Sequence, residues 1–361
     1  MTPFERSLRE LIALEGPISL ERYMALCGRH YYATRDPFGT GGDFTTAPEI
    51  SQIFGELLGL WAVAVWRQMG APAAFRLVEL GPGRGTLMAD ALRAARLVPA
   101  FLDAAALHLV ETSPALRERQ REALREAGRT AAWHDALGEV PAGPAVVIAN
   151  EFFDALPIRQ FVATEGGWRE RLVGIEGDRL VFGLSGEPDA PLGPAARPGD
   201  VREWPGAAVA VAQDLAGRLA RDGGAALLID YGYWGPAAGD TLQAVRRNAF
   251  ADPLAEPGEA DLTAHVDFAR LAEAAAVAGA RPHGPAAQAD FLTALGLPAR
   301  AAALTRRATA AQAEAIDRAA GRLTARGATA MGSLFKVLGL SHPDLATLPG
   351  LPARRETREE P

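Results

Sequence analysis

The chain has 361 residues, enough to bury a large core and more than one minimal domain requires, and its formal net charge of −7 lacks the basic surplus of a nucleic-acid binder. Hydrophobic residues make up 48% and charged residues 22%, an ordinary balance for a globular protein, and no stretch of 18 apolar residues exists to cross a bilayer. The single cysteine, Cys27, excludes an internal disulfide, and no metal-ligand cluster is evident, so neither a disulfide framework nor a metal centre is expected.

The N-terminal segment MTPFERSLRELIALEG is amphipathic and carries acids. It lacks the basic start and apolar block of a signal peptide, so the expected location is the cytoplasm. Residues 4–15 and 19–28 read as helices, the second with Ser19 as N-cap and Cys27 as a small packing residue. Residues 30–49 form a long loop rich in glycine, proline and aromatics, too aromatic for a flexible linker and long enough to suggest a lid. A buried helix is expected over 49–69. Then strands at 76–81, 106–112, about 131–137 and 144–153 alternate with helices at 87–98 and 113–128, the latter capped by Ser113 with Pro114 in its first turn. That alternation predicts βαβ units and a parallel sheet. Between about 159 and 204, short alternating runs separated by Gly-Gly and Gly-Asp read as an inserted β-meander. A helix from 211 and a strand at 225–232 resume the α/β rhythm, followed by helical segments over 262–279 and 299–327 and a last strand at 332–340.

The segment ELGPGRGT, Glu79 to Thr86, joins the first strand to a helix. Gly81, Gly83 and Gly85 permit a tight turn and close approach of a ligand to the backbone, and the helix N-terminus beyond offers free N–H groups to an anionic group. Twenty-six residues after Gly85, Glu111 ends the second strand, where an acid can accept hydrogen bonds from a ribose diol. A dinucleotide fingerprint would read G-x-G-x-x-G, and here the spacing is G-x-G-x-G with an acid two residues before the first glycine. That pattern resembles motif I of the class I methyltransferases, which implies S-adenosylmethionine as cofactor, with Glu79 orienting its amino-acid end. A nicotinamide or flavin dinucleotide, or a merely structural turn, is the weaker reading. Asp135, after the third strand, is a candidate for the adenine amino group and equally for a helix N-cap.

Five separated blocks, YYATRDPFGTGGDFTTAPEISQIFGE (31–56), VELGPGRGT (78–86), ANEFFDALPIRQF (149–161), DLTAHVDF (261–268) and MGSLFKVL (331–338), resemble the MidA-like methyltransferases from about residue 5 to 341. That family includes a mitochondrial complex I assembly factor that methylates a protein arginine. The resemblance implies an α/β fold, a Rossmann-like class I methyltransferase sheet with an N-terminal helical and loop extension, and an inserted β-meander. On that reading residues 1–70 hold the N-terminal helices and lid loop, 71–158 the first part of the cofactor domain, 159–205 the meander, 206–345 the remainder with a helical insertion, and 346–361 a tail. It also implies a protein substrate, with a complex I subunit as one candidate.

Methyl transfer from a sulfonium is an in-line displacement that needs the acceptor held in place. A guanidinium is protonated and delocalised, and paired carboxylates can orient it. The segment NEFFD supplies Asn150, also a candidate for the cofactor, together with Glu151 and Asp154, the last one helical turn on if a helix starts here. Phe152 and Phe153 read first as core and second as pocket wall. Glu49 fits the first turn of a helix capped by Thr45 or Thr46 and is also a candidate acceptor contact. His265 is a candidate general base, although a lone histidine is more often structural. Three functions remain open at this level: a protein arginine methyltransferase, a small-molecule methyltransferase, and an assembly factor that only retains the cofactor site. Oligomeric state is not legible.

Overall fold

The computed structural model describes residues 1–34, 46–188, 197–235 and 239–352. The chain folds as two units: Met1–Phe44, Phe153–Ala210 and Gly235–Asp267 form one, and Thr45–Phe152, Val211–Trp234 and Phe268–Pro361 form the other.

The second unit is the α/β body. Its strands are β1 (Phe75–Leu80), β2 (Ala105–Val110), β3 (Ala132–His134), β4 (Ala145–Asn150), β5 (Gly224–Tyr233), β6 (Arg281–Ala287) and β7 (Phe335–Ser341). They pair in the order β6-β7-β5-β4-β1-β2-β3. All neighbours from β5 to β3 are parallel, and β7 runs antiparallel to both β5 and β6. β4 is buried at every position because elements cover both its faces, so Ala-Val-Val-Ile-Ala-Asn shows no alternation. The strand order reverses between β1 and β4, and crevices at the carboxyl ends of such strands are where ligands bind in open α/β sheets.

The helix Gln52–Gln68 packs on the helix Thr86–Ala95 so tightly that a Cβ on Gly59 would lie 2.4 Å from the Ala91 carbonyl oxygen. Glu56, buried on the first of these helices, accepts from Arg93 at 3.1 Å and from Arg300 at 2.7 and 3.0 Å. Burial pushes this carboxyl up, but the two arginines together hold it below its ordinary range. The core joins Phe54, Leu58 and Trp61 to Leu77, Met88, Ile148, Leu227 and Val337.

The first unit holds the helices Pro3–Glu15 and Leu20–Thr34 and an antiparallel sheet of Ile18–Ser19, Gly167–Glu176, Arg159–Thr164 and Val201–Trp204, with Arg179–Leu184 pairing on Gly167–Glu176. Leu8, Ile12, Tyr23, Cys27, Val173 and Leu262 belong to one buried cluster. Burial pushes the Cys27 thiol up to about 11, as befits a packing residue rather than a nucleophile.

Several local expectations change. The helix expected over 49–69 is broken: Ala47–Ile50 is followed by Ser51 in an extended conformation, whose side chain caps Gln52–Gln68 by accepting from the Ile53 N–H at 3.2 Å. The segment expected as helix over 262–279 begins as strands, Asp261–Thr263 and Val266–Asp267, and turns helical at Phe268. Asp261–Thr263 pairs with Gln243–Arg246, so tertiary pairing overrides local periodicity there. β6 had no counterpart in the sequence reading. Most of the glycine-rich lid loop, including Asp43 and Thr45, lies outside the described residues.

Candidate functional site

At the end of β1 the backbone turns through three glycines in the left-handed region, with φ of 62° at Gly81, 52° at Gly83 and 83° at Gly85. A side chain at these positions is strained, and two of them also lack room. A Cβ on Gly81 would lie 2.9 Å from the Phe152 ring, and one on Gly85 would lie 3.2 Å from the Gln120 backbone. The turn closes with Gly81 N–H donating to Val110 O and Gly85 N–H donating to Pro82 O, and Thr86 starts the helix beyond.

Glu79 sits on β1 beneath this turn, 2% exposed, and its Oε2 has no hydrogen-bond partner among the described residues. Burial alone pushes its carboxyl up to about 8. At the end of β4, Asn150 is also buried. Its Nδ2 donates to Glu151 Oε1 at 3.1 Å, while its Oδ1 has no hydrogen-bond partner among the described residues. Two buried acceptors without donors at the carboxyl ends of adjacent strands are what an ammonium-bearing ligand would satisfy.

Glu111 follows β2. Its Oε1 accepts from Ser113 N–H at 2.8 Å and its Oε2 from Gln120 Nε2 at 3.2 Å. Burial raises this carboxyl above its ordinary range, opposed by those hydrogen bonds. Gln120 also donates from Nε2 to Gly83 O at 2.7 Å, and its Oε1 accepts from Trp133 Nε1 at 2.8 Å. Nothing in the sequence reading singled out Gln120. The available signal was its spacing: Leu116, Gln120 and Leu124 form the buried stripe of the helix Pro114–Glu126, and a glutamine at the centre of an apolar stripe needs partners.

Asp135 lies after β3, exposed, with Oδ1 accepting from Arg117 at 2.6 Å; Arg117 also donates to the Glu111 carbonyl. Asp135 does not cap a helix, because the short 3-10 turn Leu137–Glu139 begins after Ala136.

Glu49 and Glu151 act locally as tethers. Glu49 Oε1 accepts from Thr86 Oγ1 at 2.6 Å, at the first residue of the helix after the glycine turn. Glu151, held at a φ of 51°, accepts from the Ala47 N–H at 2.8 Å, while its own N–H donates to Ile229 O. Thr46 stands at the N-cap of Ala47–Ile50 without a side-chain cap bond, and the Glu151 carboxylate satisfies the N–H of Ala47, the first residue of that turn. No helix starts after NEFFD; residues 151–157 are bends and turns.

Asp154 and His265 belong to the other unit. Asp154 is buried, its backbone carbonyl accepts from Ala264 N–H, and its charge acts on Tyr32, whose hydroxyl donates to Asp261 at 2.8 Å. His265 N–H donates to Thr241 Oγ1 at 2.9 Å, and its Nε2 lies 3.2 Å from the Gln243 amide nitrogen. Burial lowers the pKa of its imidazole, which keeps the ring neutral at neutral pH. Among the described residues, no group of three or more His, Cys, Asp or Glu side chains could hold a metal ion, and no helix is long and apolar enough to cross a membrane.

A family model described as S-adenosyl-L-methionine-dependent methyltransferase matches residues 57–286. The chain is 38% identical to protein arginine methyltransferase NDUFAF7 homolog, mitochondrial, of Drosophila melanogaster, over 93% of this chain and 84% of that protein. It is 38% identical to the Homo sapiens protein arginine methyltransferase NDUFAF7, mitochondrial, over 83% of this chain and 75% of that one. A crystal structure of a Burkholderia thailandensis protein bound to S-adenosyl-homocysteine matches with a TM-score of 0.81 and 32% identity, covering 94% of this chain and 92% of that one. The cytoplasmic expectation is overturned by these relatives, which are named as mitochondrial proteins. It had rested on a default, the lack of a secretory pattern at the N-terminus.

Proposed function

Because this chain belongs to the family of S-adenosyl-L-methionine-dependent methyltransferases and takes S-adenosylmethionine as its cofactor, we propose that it methylates arginine in a protein substrate, with a subunit of respiratory complex I as the target. The observation that carries this reading is the identity over most of the chain to proteins named as arginine methyltransferases.

The bound cofactor supplies an electrophilic methyl group on a sulfonium. In this reading Glu79 and Asn150 hold its amino-acid end through the buried oxygens described above. The turn through Gly81, Gly83 and Gly85 brings backbone close to it, Glu111 receives the ribose diol, and Asp135 stands at the adenine edge. Asn150, Glu151, Asp154 and Glu49 are proposed for the acceptor. Carboxylates can bind a guanidinium bidentately and draw its charge away from the attacking nitrogen. The neutral imidazole of His265 is in the form that accepts a proton.

Mass spectrometry of the proteome with and without the gene should show loss of arginine methylation at a small set of peptides, a complex I subunit among them. An unchanged arginine methylome together with a missing small methylated metabolite would refute it. Within the protein, Asp154→Asn and Glu49→Gln should bind S-adenosylhomocysteine as the wild type does, yet lose turnover, because each amide removes the charge proposed to orient the acceptor. In Glu49→Gln the amide oxygen can still accept from Thr86 Oγ1. Weakened cofactor binding in both would place these acids on the cofactor side.

A further inference from the structure

We propose that Gln120 is a positioning residue for cofactor binding: its side-chain amide fixes the glycine turn and the Glu111 carboxylate in one register. Gln120 is fully buried in mid-helix, on the face it shares with Leu116 and Leu124. A primary amide on such a face is costly unless each of its groups is bonded. The indole N–H of Trp133 can only donate, so the Gln120 atom 2.8 Å from it is the carbonyl oxygen. That contact removes the ambiguity of amide orientation. Both N–H bonds of Nε2 then face acceptors, Gly83 O at 2.7 Å and Glu111 Oε2 at 3.2 Å. The first of these is the middle glycine of the turn after β1, and the second is the acid after β2. One side chain therefore sets the spacing between the two cofactor-facing segments. The helix sits close enough for this because Gly85 has no Cβ to push Gln120 away. The Glu111 carboxylate is held at both oxygens, by Gln120 on Oε2 and by Ser113 N–H on Oε1, so its plane cannot rotate when a diol arrives.

This inference rests on the reading of Glu111 as the ribose-facing acid, and the test separates the two. The full-length protein and the variants Gln120→Met, Glu111→Gln and the double variant are titrated with S-adenosylhomocysteine by calorimetry, with melting temperatures recorded alongside. Each single variant should bind about tenfold or more weakly, the scale for losing a hydrogen bond to a charged group. The double variant should bind much less weakly than the product of the two losses, because one residue acts through the other. Gln120→Glu keeps the acceptor toward Trp133 and replaces the two N–H donors with an oxygen that carries one proton at most. Facing Glu111, it should share one proton with that carboxylate, so its affinity should fall as pH rises through neutrality. Unchanged affinity in Glu111→Gln would sink the reading of Glu111. Weakened binding in Glu111→Gln with wild-type affinity in Gln120→Met, or strictly multiplicative losses, would overturn the role of Gln120 alone. Failure of both near-isosteric Gln120 variants to fold would overturn it too, by assigning the residue to the core.

Discussion

At the scale of single residues, Glu79 couples binding to stability. Burial raises its folded pKa from the usual carboxylate range to about 8, so between those values the folded protein keeps a proton that the unfolded chain has lost. Stability from this group therefore falls as pH rises through that window and levels off above about 8. Glu79→Gln should remove that slope and raise the melting temperature near pH 8, while weakening S-adenosylhomocysteine by about tenfold or more through loss of an ionised partner for the ammonium. A thermal-shift series against pH, with and without ligand, checks both halves; a variant that loses stability at pH 8 contradicts the buried protonated acid. For Glu111→Ala, a loss of about 1.5–3 kcal/mol in cofactor binding is expected. An unchanged dissociation constant with a large drop in melting temperature would make the residue structural instead. The sequence exposed both acids through their distance from the glycines. Gln120 stayed hidden because its meaning depends on Gly83 and Trp133, neither of which lies beside it in sequence.

At the scale of elements, Gly59 is where two helices meet. Its helix, Gln52–Gln68, approaches Thr86–Ala95 with backbone against backbone, and a methyl group there would meet Ala91 atoms at 2.4 to 2.8 Å. Gly59→Ala should therefore destabilise by about 1–3 kcal/mol, the cost of overpacking, even though alanine is the better helix former. Equal or higher stability in chemical denaturation would show that the helices can separate freely. Thr86→Val tests the tether between this region and the segment Ala47–Ile50. It removes the donor to Glu49 Oε1 and should cost about 1 kcal/mol while the helix itself persists. An unchanged unfolding midpoint would show that the contact contributes nothing. Helices with strong caps, such as Pro114–Glu126 with Ser113 accepting from Leu116 N–H, follow from local sequence. The strands Asp261–Thr263 and Val266–Asp267 do not. Their extended form depends on partners elsewhere in the chain, and the local spacing of apolar residues there mimics a helix.

For the whole molecule, five of the sheet's strands come from short apolar runs whose order along the chain alternates with helices, and a parallel α/β body follows from that alternation alone. The chain also carries its cofactor chemistry openly, since the glycine turn and its two acids are local or fixed-distance patterns and the backbone geometry they require is nearly context-free. What sequence could not decide was anything set by long-range pairing. β6 is invisible as Arg-Pro-His-Gly-Pro-Ala-Ala, a run that looks like a loop, and becomes a strand only because β7 offers it an antiparallel edge. The grouping of Met1–Phe44 with Phe153–Ala210 and Gly235–Asp267 likewise arises from three segments distant in sequence that share one core. The local work of Glu49 and Glu151 belongs to the same class. Sequence marked both as acids near a reaction, and folding gave each a specific donor, Thr86 Oγ1 and Ala47 N–H, at separations of 37 and 104 residues. Local propensity and spacing determined the cofactor turn and the α/β rhythm because their physics is short-range; tertiary structure decided the edge strand and the partner of each acid because burial and hydrogen bonding are properties of neighbours in space.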